Sequence, residues 1–355
     1  TGKFDSEQIT PLVMAGDLPV LELFHGPTSA FKDVALCMLP QLMSTALNGR
    51  KEKVMIVTAT SGDTGKAALS GFQDAENIGI TVFYPYGKVS DIQRLQMVCQ
   101  QGENVRVCAI RGNFDDAQSG VKRLFHSAQA KAALDEDHIV LSSANSINIG
   151  RLVPQIVYYF AAYRQLLEAG AVQMGEEVNF CVPTGNFGNV LAGYYAKLMG
   201  LPVHRLIVAA NENNVLEDFL NTGVYDRNRP FHQTISPSMD ILISSNLERM
   251  LYYLSGKDSV RVAGWMKDLA EQGRYEVDAQ TKEKIASLFL SASCDNAQTS
   301  AQIRSVYARC GYVMDPHTAV GAHVLEQLKD RLDGKVTVLL STASPYKFTR
   351  DVLKA

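Results

Sequence analysis

Residues able to do chemistry concentrate in five short segments of this 355-residue chain. Gly185-Asn186-Phe187-Gly188-Asn189 follows an apolar run at 178–182 and opens a helical pattern at 190–199. Backbone N–H groups at such a junction converge on one spot, and the helix dipole makes that spot favourable for an anion. The loop carries no lysine and no Walker spacing, which separates it from nucleoside-triphosphate loops; a plain glycine-rich turn is the alternative. Ser61-Gly62-Asp63-Thr64-Gly65 sits in the same context, ahead of 66–71. Its N–H and hydroxyl donors suit the carboxylate of an amino acid, although Thr64 or Asp63 could equally be a helix cap.

A third segment, His25-Gly26-Pro27-Thr28-Ser29-Ala30-Phe31-Lys32-Asp33, leads into the apolar helical positions Val34, Leu36, Met38 and Leu39. With Thr28 or Ser29 as N-cap, Lys32 falls in the first helical turn. A helix N-terminus disfavours an ammonium ion, and the neutral amine is the form that attacks an aldehyde. The fourth segment, Asn145-Ser146-Ile147-Asn148, follows the run 139–143, with Arg151 just beyond it. The fifth, Ser341-Thr342-Ala343-Ser344, closes the run 336–340. It can present a neutral hydroxyl to a heterocyclic nitrogen, or it is simply a strand ending in small polar residues. Asp315-Pro316-His317-Thr318 reads as an N-cap with proline at the first helical position, and Ser245-Asn246-Leu247-Glu248 as a capping box.

These segments need elements to hold them. Continuous apolar, β-branched runs recur at 54–60, 80–84, 105–110, 139–143, 178–182, 206–210 and 336–340. Such runs belong to parallel strands covered on both faces, so the fold class is α/β. Helical patterns lie between them; Leu152, Ile156, Phe160, Tyr163 and Leu167 form one apolar stripe. In sheets of this kind ligands bind beyond the carboxyl ends of strands, which is where four of the five segments stand. The longest loop-like passage is 221–237, and no internal repeat interrupts the chain. At ~100–200 residues per domain, the length implies two domains. The expected division is a small βαβ domain at 53–150 and a larger one from 1–52 plus 151–355.

Composition narrows the partners. Lys plus Arg, 34, nearly balances Asp plus Glu, 37, which argues against a nucleic-acid or membrane surface and for a small-molecule substrate. No apolar stretch reaches the ~20 residues of a membrane span. Six scattered cysteines offer no metal-ligand spacing and suggest a reduced, cytoplasmic setting; no metal is expected.

The segment from Leu23 to Asp33 closely resembles the cofactor-lysine motif of the threonine synthase family, a branch of the tryptophan synthase β-like, fold-type II pyridoxal-phosphate enzymes. Thr60 to Gly65, Asn145 to Asn148 and Gly185 to Asn189 resemble the family's TSGDTG, NSIN and GNFGN segments. Ser236-Pro237-Ser238-Met239-Asp240 and Ser244-Ser245-Asn246-Leu247-Glu248-Arg249 are similar to threonine synthase stretches as well. The resemblance departs at Ser29, where Leu is common, and at Ser344, where His is frequent. The family carries further sequence ahead of the lysine motif, so the chain is expected to lack part of its N-terminus.

The resemblance implies two doubly wound, mostly parallel α/β domains with pyridoxal 5′-phosphate in the cleft between them. Lys32 would hold the cofactor as a Schiff base, and Gly185, Asn186, Phe187, Gly188 and Asn189 would hold its phosphate. Thr342 or Ser341 would face the ring nitrogen. Ser61, Gly62, Asp63, Thr64 and Gly65 would take the substrate carboxylate, with Asn145, Ser146, Asn148, Arg151 and Lys347 also at the substrate. Of these, Arg151, Lys347 and Ser146 are the candidates for its phosphate. The implied reaction converts O-phospho-L-homoserine and water to L-threonine and phosphate, in a monomer or homodimer. Alternatives are a phosphohomoserine or hydroxy-amino-acid lyase or dehydratase of the same fold, or a non-catalytic cofactor-binding homologue. A Rossmann dehydrogenase is disfavoured, because no GxGxxG follows the first strand.

Overall fold

The seven apolar runs form strands that pair in parallel, because side chains apolar on both faces are stable only when both faces are covered. The computed structural model describes residues 2–60, 62–89, 91–112 and 114–355, and the side chains of all of these except Asp63, Ile92, Phe114 and Asp115. Twelve strands are present among them: β1 (Leu12–Ala15), β2 (Leu18–Glu22), β3 (Lys53–Ala59), β4 (Ile78–Pro85), β5 (Val105–Ile110), β6 (Ile139–Ser142), β7 (Val178–Pro183), β8 (Val203–Ala210), β9 (Val224–Asp226), β10 (Arg274–Glu276), β11 (Phe289–Ser293) and β12 (Thr337–Ser341). The chain divides into two compact units, one of Thr1–Asp5 with Gly26–Pro154 and one of Ser6–His25 with Gln155–Ala355. The boundary falls inside the helix Ile149–Glu168. The expected division grouped 1–52 with the larger part; contacts instead group Lys32 and its helix, Lys32–Leu47, with the smaller unit.

The smaller unit holds a four-stranded parallel sheet in the order β5-β4-β3-β6. From β3 the chain winds outward through β4 to β5, then returns to β6 on the other side of β3, so the order reverses between β3 and β6. Its core includes Ile56, Leu69, Phe72 and Leu36, each 0% exposed.

The larger unit holds a six-stranded sheet, β1-β2-β12-β7-β8-β11, and a two-stranded antiparallel ribbon, β10-β9. Every residue of β7 is buried. Here too the winding runs outward, from β7 through β8 to β11, before returning to β12 on β7's other side. β1 and β2 form an antiparallel hairpin at the edge, turning at Gly16 with φ 65°. The passage 221–237 is not wholly loop, since β9 lies within it. On the helix Ile149–Glu168 the buried face is turned from the expected stripe: Leu152, Tyr158, Tyr159 and Tyr163 are buried, while Ile156 and Phe160 are only half-buried.

Candidate ligand-binding loops

Strand order puts the conspicuous loops in pairs. A reversal point opens a crevice at the carboxyl ends of the two strands flanking it. In the smaller unit those strands are β3 and β6, followed by 61–65 and 145–148; in the larger they are β7 and β12, followed by 185–189 and 341–344. Each pair unites segments remote in sequence.

Lys32 is the first residue of its helix, half-buried, with Nζ 4.8 Å from the centroid of the Phe31 ring. The expected Thr28 or Ser29 cap is absent: Phe31 is the N-cap and makes no side-chain cap bond. The polarity is reversed, because Asp33, 1% exposed, accepts from the Thr28 N–H (2.8 Å) and hydroxyl (2.6 Å) and so ties the preceding loop down. Gly26 makes that closeness possible, since a Cβ there would lie 2.4 Å from Asp33 Cβ. Lys66 is a second half-buried lysine of this unit. Burial pulls its pKa down, opposed by the Asp33 charge, and its Nζ donates to Gln100 Oε1 at 2.5 Å.

Ser61 lies outside the described residues, as does the side chain of Asp63. The helix Asp63–Phe72 has Gly62 as its N-cap, so the cap expected from Thr64 or Asp63 belongs to neither. The Thr60 hydroxyl does that work, accepting from the N–H of Gly62 (3.0 Å) and of Gly65 (2.9 Å). Asn145 and Asn148 are similarly occupied. Asn148 Oδ1 accepts from the Gly150 N–H at 2.9 Å and its Nδ2 donates to the Ser143 carbonyl, while Asn145 Oδ1 accepts from the Ser143 hydroxyl. Arg151 is 3% exposed and its Nη1 donates to the Ala144 carbonyl at 2.5 Å. Ser146 and Lys347 are half-buried.

The 185–189 loop is braced from outside. Ser244 Oγ donates to the Gly185 carbonyl (2.9 Å), Asn246 Nδ2 to the Asn186 carbonyl (2.9 Å), and Ser245 Oγ to Asn186 Oδ1 (3.2 Å). Ser245 therefore does not cap the helix Leu247–Leu254 as expected; Asn246 is its N-cap. A Cβ at Gly185 would come 2.5 Å from the Ser238 carbonyl oxygen, so only glycine fits there. Phe187 is the N-cap of the helix Gly188–Leu198 at φ 60°, with its side chain 1% exposed. Asn189 Oδ1 accepts from the hydroxyls of Tyr158 (2.6 Å) and Tyr159 (2.8 Å), while its buried Nδ2 has no hydrogen-bond partner among the described residues.

At the partner strand, Ser341 (1% exposed) and Thr342 (6%) are both buried, and Ser341 Oγ is 2.9 Å from Thr318 Oγ1. Asp315 caps the helix Pro316–Gln327 with proline at its start, as the sequence indicated. Sequence reading had Thr60 and Ser244 only as members of segments resembling the family, and missed Tyr158 and Tyr159, which reach Asn189 from 31 and 30 residues away.

The donor set around 185–189 fits a phosphate ester. A helix N-terminus and a buried unpartnered amide donor converge there, and the loop contains no carboxylate to repel an anion. No group of three or more His, Cys, Asp or Glu among the described residues could hold a metal, and no helix there is long and apolar enough to cross a membrane.

Known proteins similar to this chain show its family. Residues 5–293 match the family described as pyridoxal-phosphate dependent enzyme. Threonine synthase of Pseudomonas aeruginosa is 42% identical over 355 residues, covering 100% of this chain and 73% of that protein. The chain also aligns over 99% of its length with human threonine synthase-like 1, at 40% identity, and spans only 48% of that relative's length. An X-ray structure of PLP-bound threonine synthase from Brucella melitensis superposes with a TM-score of 0.91 at 43% identity, covering 99% of this chain and 74% of that one.

Proposed function

The chain belongs to the pyridoxal-phosphate-dependent enzymes, in their threonine synthase branch, and from that premise we propose that it binds pyridoxal 5′-phosphate and converts O-phospho-L-homoserine and water to L-threonine and phosphate. The observation that supports this reading best is the pairing of four ligand-type loops at two reversal points of parallel sheets. When bound, the cofactor supplies an electron sink for carbanions formed at the substrate.

The chain's own groups carry the rest. Lys32 supplies the amine that holds the cofactor aldehyde. When not holding the aldehyde, the Lys32 amine would move protons at the substrate α- and β-carbons. Gly185 to Asn189 bind the cofactor phosphate through the helix start and Asn189 Nδ2. Thr342 or Ser341 faces the ring nitrogen with a neutral oxygen rather than a carboxylate. The backbone of 61–65 anchors the substrate carboxylate, with its shape held by Thr60.

Phosphate departs from the γ-carbon and water adds at the β-carbon. Of the groups suggested for the leaving phosphate, Ser146 and Lys347 are half-buried, whereas Arg151 is deeply buried and gives Nη1 to Ala144. That favours Ser146 and Lys347 as direct partners and Arg151 as a brace for the 145–148 loop, a charge whose removal acts through loop position.

Incubation with O-phospho-L-homoserine and product analysis tests the reaction. Threonine and phosphate in equal amounts are expected. Release of 2-oxobutyrate and ammonia would assign the chain to a lyase of the same fold, and no turnover with bound cofactor would favour a non-catalytic homologue.

A further inference from the structure

Asp315 stands in none of the ligand loops, yet it is 0% exposed and four donors converge on its carboxylate. Oδ1 accepts from the His317 N–H at 2.9 Å and lies 2.7 Å from His317 Nδ1. Oδ2 accepts from the Thr318 N–H at 3.3 Å and from the Thr318 hydroxyl. Capping a helix requires only the backbone pair. The two side-chain bonds exceed what a cap needs, and each leads onward to a ligand loop.

The direction of each arm follows from what its far end can do. The Ser238 N–H can only donate, and it lies 3.2 Å from His317 Nε2. Nε2 therefore carries the lone pair, and Nδ1 carries the hydrogen that goes to Asp315. Ser238 is the residue whose carbonyl oxygen limits Gly185, so the His317 arm ends at the backbone on which the 185–189 loop rests.

A carboxylate accepts only, so the Thr318 hydroxyl hydrogen lies on Asp315. Toward Ser341 Oγ, 2.9 Å away, Thr318 must then accept and Ser341 donate. Tyr312, whose own hydroxyl donates to Glu22, is a second acceptor for Ser341, so the Ser341 hydrogen is held within the fold by Thr318 and Tyr312 and its oxygen is left as an acceptor at the end of β12.

We infer that Asp315 is the positioning residue joining the two ends of the larger unit's ligand site. Through His317 and Ser238 it fixes the loop assigned to the cofactor phosphate, and through Thr318 it sets the polarity of Ser341 at the end assigned to the ring nitrogen. The inference rests on the cofactor reading above.

Four variants separate the arms. Thr318→Val cuts one and His317→Leu the other, while Asp315→Ala removes both. Asp315→Asn keeps a good N-cap. Its oxygen stays opposite His317, which needs an acceptor, so its amide donates to Thr318 and Thr318 in turn donates to Ser341, the reverse of the parent's order. Each protein is loaded with pyridoxal 5′-phosphate. The phosphorus resonance of the bound cofactor reports the phosphate end, its visible band the ring end, and titration gives its Kd.

The expected result is selective. Thr318→Val and Asp315→Asn move the visible band and leave the phosphorus resonance in place, and Thr318→Ser behaves as the parent. His317→Leu moves the phosphorus resonance and raises the Kd by about tenfold or more, as an unpaired buried N–H implies, with the band unchanged. Asp315→Ala moves both; if circular dichroism shows it unfolded, Asp315→Asn still decides the ring arm and His317→Leu the phosphate arm. An unmoved band in Asp315→Asn, or a phosphorus shift in Thr318→Val equal to that in His317→Leu, overturns the inference while the cofactor reading stands. Failure of the parent protein to bind pyridoxal phosphate overturns that reading, and this inference with it.

Discussion

Both units place two loops at a sheet reversal, but they hold those loops differently. In the smaller unit most braces are local: Thr60 serves Gly62 and Gly65, Asn148 serves Ser143 and Gly150, and Asp33 serves Thr28, all within five residues, beside two bonds at a separation of 86, Asn145 Nδ2 to the Ala59 carbonyl and the Ala144 N–H to Thr58 Oγ1. In the larger unit the braces come from far along the chain, with Ser244 on Gly185 at a separation of 59 residues and Tyr158 on Asn189 at 31. The local braces fall on backbone groups, the N–H of Gly62, Gly65 and Gly150 among them. The remote braces on Asn189 fall on its Oδ1 and leave Nδ2 for a ligand. The contrast is between loops shaped mostly by their own neighbours and a loop fixed by distant segments.

Substitution of Lys32 should cost most, because no brace can replace a covalent group. Lys32→Ala is expected to lower turnover by about 10⁴-fold or more, measured as phosphate release from O-phospho-L-homoserine. Turnover within tenfold of the parent would remove the lysine from the reaction. Breaking a remote brace comes next. Asn246→Ala removes the side-chain bond to the Asn186 carbonyl, which keeps the Asn246 N–H, and the bond from Arg249 Nη1, and should raise the cofactor Kd several-fold while the KM for substrate at saturating cofactor stays near that of the parent. The converse holds for Thr60→Val, which deprives the Gly62 N–H of its acceptor and the Gly65 N–H of one of two. It should raise the substrate KM several-fold without changing cofactor Kd, and equal effects on both quantities would erase the contrast between the units.

Two smaller effects sharpen it. Asn148→Ala removes a helix cap and should cost about 1 kcal/mol in denaturant unfolding. Burial pushes the Tyr225 hydroxyl up to about 12, and this hydroxyl accepts the Ser244 N–H at 2.9 Å beside the 185–189 loop. A raised folded pKa means stability that is present below ~10, the unfolded value, and lost as the pH climbs toward the folded one. Alkaline unfolding should therefore steepen above pH ~10, and Tyr225→Phe should flatten that slope.

The parallel core was legible in the sequence because its strands are unbroken apolar runs; all seven expected runs are strands, within a few residues at their ends. Phe289–Ser293 escaped because two of its five residues are serines, one of which, Ser291, hides its hydroxyl on the Val208 carbonyl. The β1–β2 hairpin escaped because its strands are only four and five residues long. The ligand loops were legible through glycine, amide and hydroxyl residues at strand ends. Their supports were not, since nothing local to Tyr158, Tyr159 or Asn246 says that a glycine loop lies against it. The caps expected of Thr28 and Ser245 went elsewhere for a common reason: each hydroxyl donates to an acceptor that folding brings closer, Thr28 to Asp33 and Ser245 to Asn186 Oδ1.

Lys32 remains the residue on which the functional reading turns, and Lys66, half-buried in the same unit with its pKa lowered by burial, is the amine to distinguish it from. Borohydride reduction of the protein loaded with pyridoxal 5′-phosphate, followed by peptide mapping, makes that distinction directly. The account predicts a single pyridoxyl label, on Lys32. A label on Lys66 or any other lysine, or no label at all, would contradict it.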